Sequence, residues 1–320
     1  MRVLFAGSPE IAVPAFASTV RDHDIVGVLT NPDAPKGRGL CCCRTPVAEA
    51  AAELVPEAPI LTFDHLGAEA REAVAALEPD ILVAFAYGRI FGPKFLALFP
   101  RGGVNVHPSL LPKYRGCAPI PWVILNREPQ TGITVQRLAL KMDSGGILAR
   151  EVVSLTDRET TDTLSALMAE RGADLLASVL ARIERGEAIE EAQDEAAASY
   201  YTLLHKEDGR IDWNESALEI DARVRAFHPW PCAFTELMGQ RLNILDAEPL
   251  PSGSESEGGK AVVRPEEPGT VIALDKCRGI MVQTGNGLLA LRRLQLQTKK
   301  PLSFRDFSNG VKDLVGKRLG

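Results

Sequence analysis

None of the six cysteines stands in a Cys-x-x-Cys pair, and the adjacent residues Cys41-Cys42-Cys43 are poorly placed to ligate one metal. That leaves reduced thiols in a loop, and no metal is expected. No stretch approaches the roughly 20 uninterrupted apolar residues of a membrane span. The opening Met1-Arg2-Val3-Leu4-Phe5-Ala6-Gly7 is too short an apolar run for a secretory signal and reads as a first strand, so a cytoplasmic protein is expected. A Gly-x-Gly-x-x-Gly fingerprint is missing after that strand, where the chain reads Ala6-Gly7-Ser8-Pro9-Glu10, which disfavours dinucleotide binding. The Gly-x-Ser-x-Gly elbow of serine hydrolases is absent as well, and a proline, Pro108, precedes Ser109.

What is present is an ordinary globular composition. With 320 residues, 45% of them hydrophobic, the chain has room for two domains. The net charge of −6 argues weakly against a general nucleic-acid binder, but the charge is unevenly spread. From Arg292 onward, the basic residues Arg292, Arg293, Lys299, Lys300, Arg305, Lys312, Lys317 and Arg318 are opposed only by Asp306 and Asp313. Such asymmetry suggests one cationic face on an otherwise acidic protein, or a solvated basic terminus.

The first part of the chain alternates strand and helix patterns. Val3–Ala6, Asp24–Leu29, Ile81–Ala86, Val104–Val106 and Gly132–Leu138 read as strands, the third as a run covered on both faces and the last as an alternating one. Glu10–Val20, Pro46–Leu54, Leu66–Leu77, Ile120–Leu125 and Leu164–Arg185 read as helices. This is the signature of a doubly wound α/β sheet. The acidic, alanine-rich stretch after Gly186 reads as a linker, giving a first domain at 1–186, a linker at 187–203 and a second domain at 204–320. In the second domain a helix at Ala217–Phe227 precedes short strands at Ala233–Leu237, Leu242–Leu245, Gly269–Leu274, Ile280–Gln283 and Leu288–Leu294. Thr284-Gly285-Asn286-Gly287 marks a hairpin, and the pattern suggests a small β-barrel. Ser252–Lys260 reads as a mobile surface loop.

The residues best suited to chemistry lie in Asn105-Val106-His107-Pro108-Ser109-Leu110-Leu111-Pro112. Alternation along a strand puts Asn105 and His107 on one face, so an amide and an imidazole project together from a strand end. In open α/β sheets that end is where ligands sit. Asp143, in Met142-Asp143-Ser144-Gly145-Gly146, stands after another strand and is placed either to orient the imidazole or to stabilise its own turn. Together the three suit attack by an amine on an acyl carbon: Asn105 and His107 as donors to the oxyanion, Asp143 as proton acceptor. Ser109 as a nucleophile is a minor alternative. A second loop, Asn31–Arg44, is basic, bears glycines and reads as irregular. It is a flexible surface loop or an arm for phosphate or RNA with Arg38 at its tip.

These residues resemble the methionyl-tRNA formyltransferase family over nearly the whole chain. The opening Arg2–Glu10, the Asn105–Pro112 motif with Tyr114-Arg115-Gly116 and Ala118-Pro119-Ile120, and Met142–Gly146 carry the part shared with other 10-formyltetrahydrofolate enzymes. The narrower likeness rests on Asn31–Pro46, which resembles an inserted tRNA-gripping loop, and on Arg210-Ile211-Asp212-Trp213 and Arg225-Ala226-Phe227-His228-Pro229-Trp230-Pro231. Both tryptophans are expected to pack in a domain core. The resemblance implies a Rossmann-like catalytic domain and an OB-like C-terminal barrel. It also implies formyl transfer from 10-formyltetrahydrofolate, as co-substrate, to methionine on initiator methionyl-tRNA, by a monomer, with Asn105, His107 and Asp143 catalytic. Ser109, Leu110, Leu111 and Pro112, with Phe85, Tyr87 and Gly88, would line the folate site. Lys36, Arg38, Arg44, Arg292, Arg293, Lys299 and Lys300 would hold the tRNA. Cys41-Cys42-Cys43 falls where a more basic segment is often found, which shifts weight to Lys36, Arg38 and Arg44. Competing readings are another formyl-folate transferase or hydrolase, or an RNA-binding protein with a retired catalytic domain.

Overall fold

The computed structural model describes residues 1–36, 41–250, 266–311 and 313–320. Arg38 and the Ser252–Lys260 loop lie outside the described residues. Through Tyr201 the chain runs β1 (Arg2–Gly7), α1 (Val13–Asp22), β2 (Asp24–Thr30), β3 (Ala34–Lys36), β4 (Cys41–Cys43), α2 (Pro46–Leu54), β5 (Ile60–Thr62), α3 (Ala68–Ala75), β6 (Ile81–Phe85), α4 (Pro93–Leu96), β7 (Gly103–His107), β8 (Arg115–Gly116), α5 (Pro119–Leu125), β9 (Gln130–Arg137), β10 (Ile147–Ser154), α6 (Thr161–Arg185) and β11 (Tyr200–Tyr201). Two compact units emerge. One holds Met1–Pro119, Gln130–Ser154 and Leu164–Thr202; the other holds Ile120–Pro129, Leu155–Thr163 and Leu203–Gly320.

Among the described residues the first unit contains a seven-stranded sheet in the order β10-β9-β7-β6-β1-β2-β5. The neighbouring strands from β5 to β7 pair parallel, whereas β9 pairs antiparallel with both β7 and β10, so the fold is Rossmann-like with a mixed sheet. Chain order reverses at β1, which leads to β2 on one side and pairs with β6 on the other; β7 lies beyond β6. The strand end bearing Asn105 and His107 is thereby a carboxyl end.

The alternation expected of Gly132–Leu138 does not appear: β9 is buried continuously from Thr131 to Gln136. Both of its faces are covered. Ile133 meets Gly172 of α6, and the adjacent Gly132 lies against Leu110. Helix α6 buries Leu164, Met168, Leu176, Val179, Leu180 and Ile183 along one side, the 3–4 spacing of an amphipathic helix. Each such side chain contributes roughly 1.5–3 kcal/mol by leaving water.

The basic loop after β2 is more regular than its sequence suggests. Ala34–Lys36 pairs antiparallel with Cys41–Cys43, so the cysteines form a strand. The base of this hairpin is fixed: the Thr30 and Thr45 hydroxyls lie 2.6 Å apart, and the Asn31 amide donates to Ser8 Oγ and to the Tyr87 carbonyl, both at 3.0 Å. Cys42, Cys117, Cys232 and Cys277 are free thiols.

In the second unit α7 (Ala217–Ala226) precedes β12 (Ala233–Leu237), β13 (Gln240–Leu250), β14 (Val271–Asp275), β15 (Gly279–Gln283), β16 (Leu288–Leu296), β17 (Leu302–Ser303) and α8 (Phe304–Gly310). The strands form an antiparallel sheet in the order β12-β13-β16-β15-β14, with β17 on β16. Gln283 pairs with Leu288, so Thr284–Gly287 is the turn of the β15–β16 hairpin. Helix α7 opens on a capping box in which Ser216 N–H donates to Glu219 Oε2 at 2.8 Å. Trp213 is in the core and donates to Thr235 Oγ1 at 3.0 Å. Trp230, expected in the core, is instead 56% exposed, on the turn between α7 and β12. Among the described residues no helix is long and apolar enough to cross a membrane.

Candidate active site

Strand β7 delivers two of the site residues and the loop after β9 delivers the third. The Asp143 carboxylate lies between them, with Oδ2 3.7 Å from His107 Nδ1 and Oδ1 3.5 Å from Asn105 Nδ2, the long limit of a hydrogen bond. The two firm bonds to Asp143 come from elsewhere. Gly116 N–H donates to Oδ2 and Gln136 Nε2 donates to Oδ1, each at 2.9 Å. Gln136 is the cross-strand partner of Asn105, which is why β9 can reach the same carboxylate.

His107 is buried and its ring is held from both sides. Nε2 lies 2.8 Å from the Tyr114 carbonyl. A carbonyl only accepts, so Nε2 carries the proton of that bond, and Nδ1 is the nitrogen left to face Asp143. The residues between His107 and Gly116 form a turn whose end is pinned by β11: Tyr200 pairs with Arg115 and Tyr201 with Gly116. Tyr201 also stacks on Tyr114, with ring centroids 4.8 Å apart and planes at 12°. Gly116 is required here. Its φ is +97°, and a Cβ would sit 2.4 Å from the Tyr201 carbonyl oxygen.

The alternative of a serine nucleophile has no geometric support. Ser109 is fully buried and its hydroxyl donates to the Lys113 carbonyl at 2.8 Å, while His107 Nε2 is engaged with Tyr114. Burial pushes the Cys117 thiol up, and the charge of Asp143 adds to this, which keeps it a poor nucleophile. Among the described residues no cluster of His, Cys, Asp or Glu is arranged to hold a metal ion.

The other expected site residues differ in accessibility. Leu110 and Pro112 are half-buried and Gly88 is exposed, whereas Phe85, Tyr87, Ser109 and Leu111 are buried. Tyr87 is stacked on Phe91 at 5.4 Å, and its hydroxyl is buried without a hydrogen-bond partner. Of these residues, Leu110, Pro112 and Gly88 are the ones that present surface to solvent. Of the expected cationic residues, Arg44, Arg292, Arg293, Lys299 and Lys300 are exposed. Arg292 is paired with Glu248 at 3.3 Å, and Arg293 follows it on β16, where the register with β13 shifts. Lys36 lies on β3.

Sequence reasoning passed over a layer behind Asp143: Gln136, Gln193, Glu195, Tyr200 and the side chain of Arg115. Gln136 had a usable signal, its place on the strand leading to Asp143. Arg115 stands in the motif after His107, whereas Gln193, Glu195 and Tyr200 reach the site from the segment after α6, where nothing in the spacing points to it.

The Formyl transferase family model matches residues 2–180, and the model for the Formyl transferase C-terminal domain matches residues 203–312. A methionyl-tRNA formyltransferase of Treponema denticola is 44% identical over 321 residues, covering 98% of this chain and 98% of that protein. The chain belongs to the methionyl-tRNA formyltransferase family. A member of the family from Roseiflexus castenholzii is 41% identical over 323 residues, covering 100% of this chain and 99% of that one. Among solved structures, HypX of Aquifex aeolicus with tetrahydrofolic acid aligns with a TM-score of 0.65 at 17% identity, over 99% of this chain and 48% of that protein. WlaRD, a sugar 3N-formyl transferase, aligns with a TM-score of 0.64 at 16% identity, over 94% of this chain and 99% of that one. At these identities the two structures show a shared fold.

Proposed function

We infer that the chain transfers the formyl group of 10-formyltetrahydrofolate to the α-amino group of methionine on initiator methionyl-tRNA. The likeness to methionyl-tRNA formyltransferases across both matched regions carries this reading, since Asn105, His107 and Asp143 alone would fit any formyl-folate enzyme. In the reaction the amine nitrogen bonds to the formyl carbon, the bond from that carbon to folate N10 breaks, and a proton passes from the amine to N10.

The donor set fits a one-carbon carbonyl unit. Asn105 Nδ2 and, when the imidazole carries a proton on both nitrogens, His107 Nδ1 are the donors for the oxygen that becomes negative, with Nε2 held by the Tyr114 carbonyl. Asp143 holds the imidazole and takes the amine proton, directly or through water. The folate lies against Leu110, Pro112 and Gly88, with Phe85, Tyr87, Ser109 and Leu111 shaping the wall from behind. The β3–β4 hairpin, with Lys36, Arg38 and Arg44, grips the tRNA acceptor end, and Arg292, Arg293, Lys299 and Lys300 contact its backbone.

The same reading divides the chain into a catalytic domain at 1–186, a linker at 187–203 and a tRNA-binding domain at 204–320 whose antiparallel sheet curls into an OB-like barrel. It makes the protein a cytoplasmic monomer. The test is incubation with 10-formyltetrahydrofolate and methionine-charged initiator tRNA, followed by mass analysis of the aminoacyl group. Addition of one formyl group supports the reading. Release of formate without addition to the amine would indicate a hydrolase.

A further inference from the structure

The segment after α6 does more than connect. Glu191 forms a bridge with Ile147, and Ser199 accepts from the backbone N–H groups of Tyr114, through Oγ at 2.9 Å, and Arg115, through its carbonyl at 2.8 Å. Residues 191–201 thus form a strap across the back of the Asp143 loop.

Midway along the strap, Gln193 Nε2 lies 2.9 Å from the Asp143 carbonyl, 2.7 Å from the Gly145 carbonyl and 3.1 Å from Gln136 Oε1. Gln193 Oε1 accepts from Arg115 Nε at 3.1 Å and Nη2 at 2.8 Å. The polarity of this chain is fixed at both ends. Arg115 can only donate, so Gln193 must turn its oxygen to Arg115 and its nitrogen to the loop. Gln136 must then present its oxygen to Gln193 and its nitrogen to the Asp143 carboxylate, which can only accept. Neither amide can flip without placing like groups together. Arg115 is itself fully buried and held by Glu195 Oε1 and the Tyr200 hydroxyl, both at 2.6 Å, with Lys141 bonded to the other Glu195 oxygen at 2.7 Å. The loop needs such a hold, because Asp143 has a φ of +51°.

We propose that Gln193 is a positioning residue: its amide holds the Asp143 loop in this turn and, through Gln136, keeps a donor aimed at the Asp143 carboxylate. This rests on the catalytic reading of Asp143 given above. The strap is then part of the active site, and the chain from Arg115 through Gln193 and Gln136 sets the carboxylate's place opposite His107 and Asn105.

The test compares Gln193→Glu, Gln193→Leu and Asp143→Asn in the full chain. Glutamate keeps the size of the side chain and still accepts from Arg115, but it cannot donate to the loop. Its kcat should fall about 10- to 100-fold, the penalty of a misplaced catalytic group, with KM for folate and for charged tRNA little changed. Gln193→Leu should do the same if it folds, and Gln193→Glu decides if it does not. Gln193→Glu should also cost less in a Gln136→Leu background than alone, because part of its effect runs through Gln136. A Gln193→Glu enzyme with normal kcat beside an inactive Asp143→Asn would overturn the proposal and leave the reading of Asp143 standing. A raised KM for tRNA with unchanged kcat would also overturn it. Near-normal turnover by Asp143→Asn would instead remove the reading on which the proposal rests.

Discussion

Replacing Gly116 by alanine tests whether the strap and the catalytic turn are one device. Two costs can be worked from the geometry. At φ +97° an L side chain is strained by roughly 1–2 kcal/mol or more. A Cβ 2.4 Å from the Tyr201 carbonyl oxygen forces the backbone apart, and overpacking of that kind costs about 1–3 kcal/mol. Together the loss should be about 2–5 kcal/mol. The structure offers two ways to relieve the clash. Either the strap lifts and the β8–β11 pairing is lost, or the turn shifts and Gly116 N–H leaves Asp143 Oδ2, now 2.9 Å away. Both routes loosen Asp143, so turnover should fall about 10- to 100-fold.

Gly186 provides the control. It ends α6 at φ +74°, but a Cβ there has nothing within 4 Å. Gly186→Ala should therefore cost only the conformational part, about 1–2 kcal/mol, with normal turnover. The assays are denaturant unfolding and single-turnover formyl transfer on both variants. If Gly116→Ala were as stable as Gly186→Ala and turned over like the wild type, the strap would have no part in holding the site.

Three further outcomes follow from the charged and phenolic groups. In an alkaline titration read by phenolate absorbance, Tyr200 should ionise early, because Arg115 and then Lys141 hold its phenol below the usual range, and Tyr87 late, because burial raises it. Tyr200→Phe should remove the early step and Tyr87→Phe the late one; the reverse assignment would contradict the geometry. The bond from Arg115, with a second from Lys141, lowers the Glu195 carboxyl from 4.5 to about 2. Since the folded value is the depressed one, the stabilisation from Glu195 is complete above about pH 4.5 and is lost as pH falls through about 2. The difference in unfolding midpoint between wild type and Glu195→Gln should therefore stay constant from neutral pH down to that range and shrink below it. Alanine at Arg38 or Arg44 should raise KM for charged tRNA and leave the folate KM alone, and tRNA binding should weaken with salt; the opposite split would remove the hairpin from the RNA contact.

The site's first layer was legible because it is local. Asn105 and His107 share a strand face by period-two alternation, and Asp143 follows a strand with paired glycines. Helix α2 spans the expected Pro46–Leu54; Thr45 caps it and Pro46 stands at its first position. The second layer was not legible, because it depends on distant pairing. Gln193 meets Asp143 across 50 positions and Arg115 meets Tyr200 across 85. Composition also misled at two places. Continuous burial of β9 hid behind polar Thr131, Thr134 and Gln136, the last two of which take side-chain partners from the fold. The cysteine run gave no pattern of its own, yet its backbone completes a hairpin.

The central claim is that Asn105, His107 and Asp143 act together on one formyl group. The most direct measurement is single-turnover transfer from 10-formyltetrahydrofolate to methionine-charged initiator tRNA by Asn105→Ala and His107→Ala, each shown to be folded. Loss of a fixed oxyanion donor predicts a rate about 100- to 1000-fold below wild type for each. Rates near wild type in either variant would contradict the account.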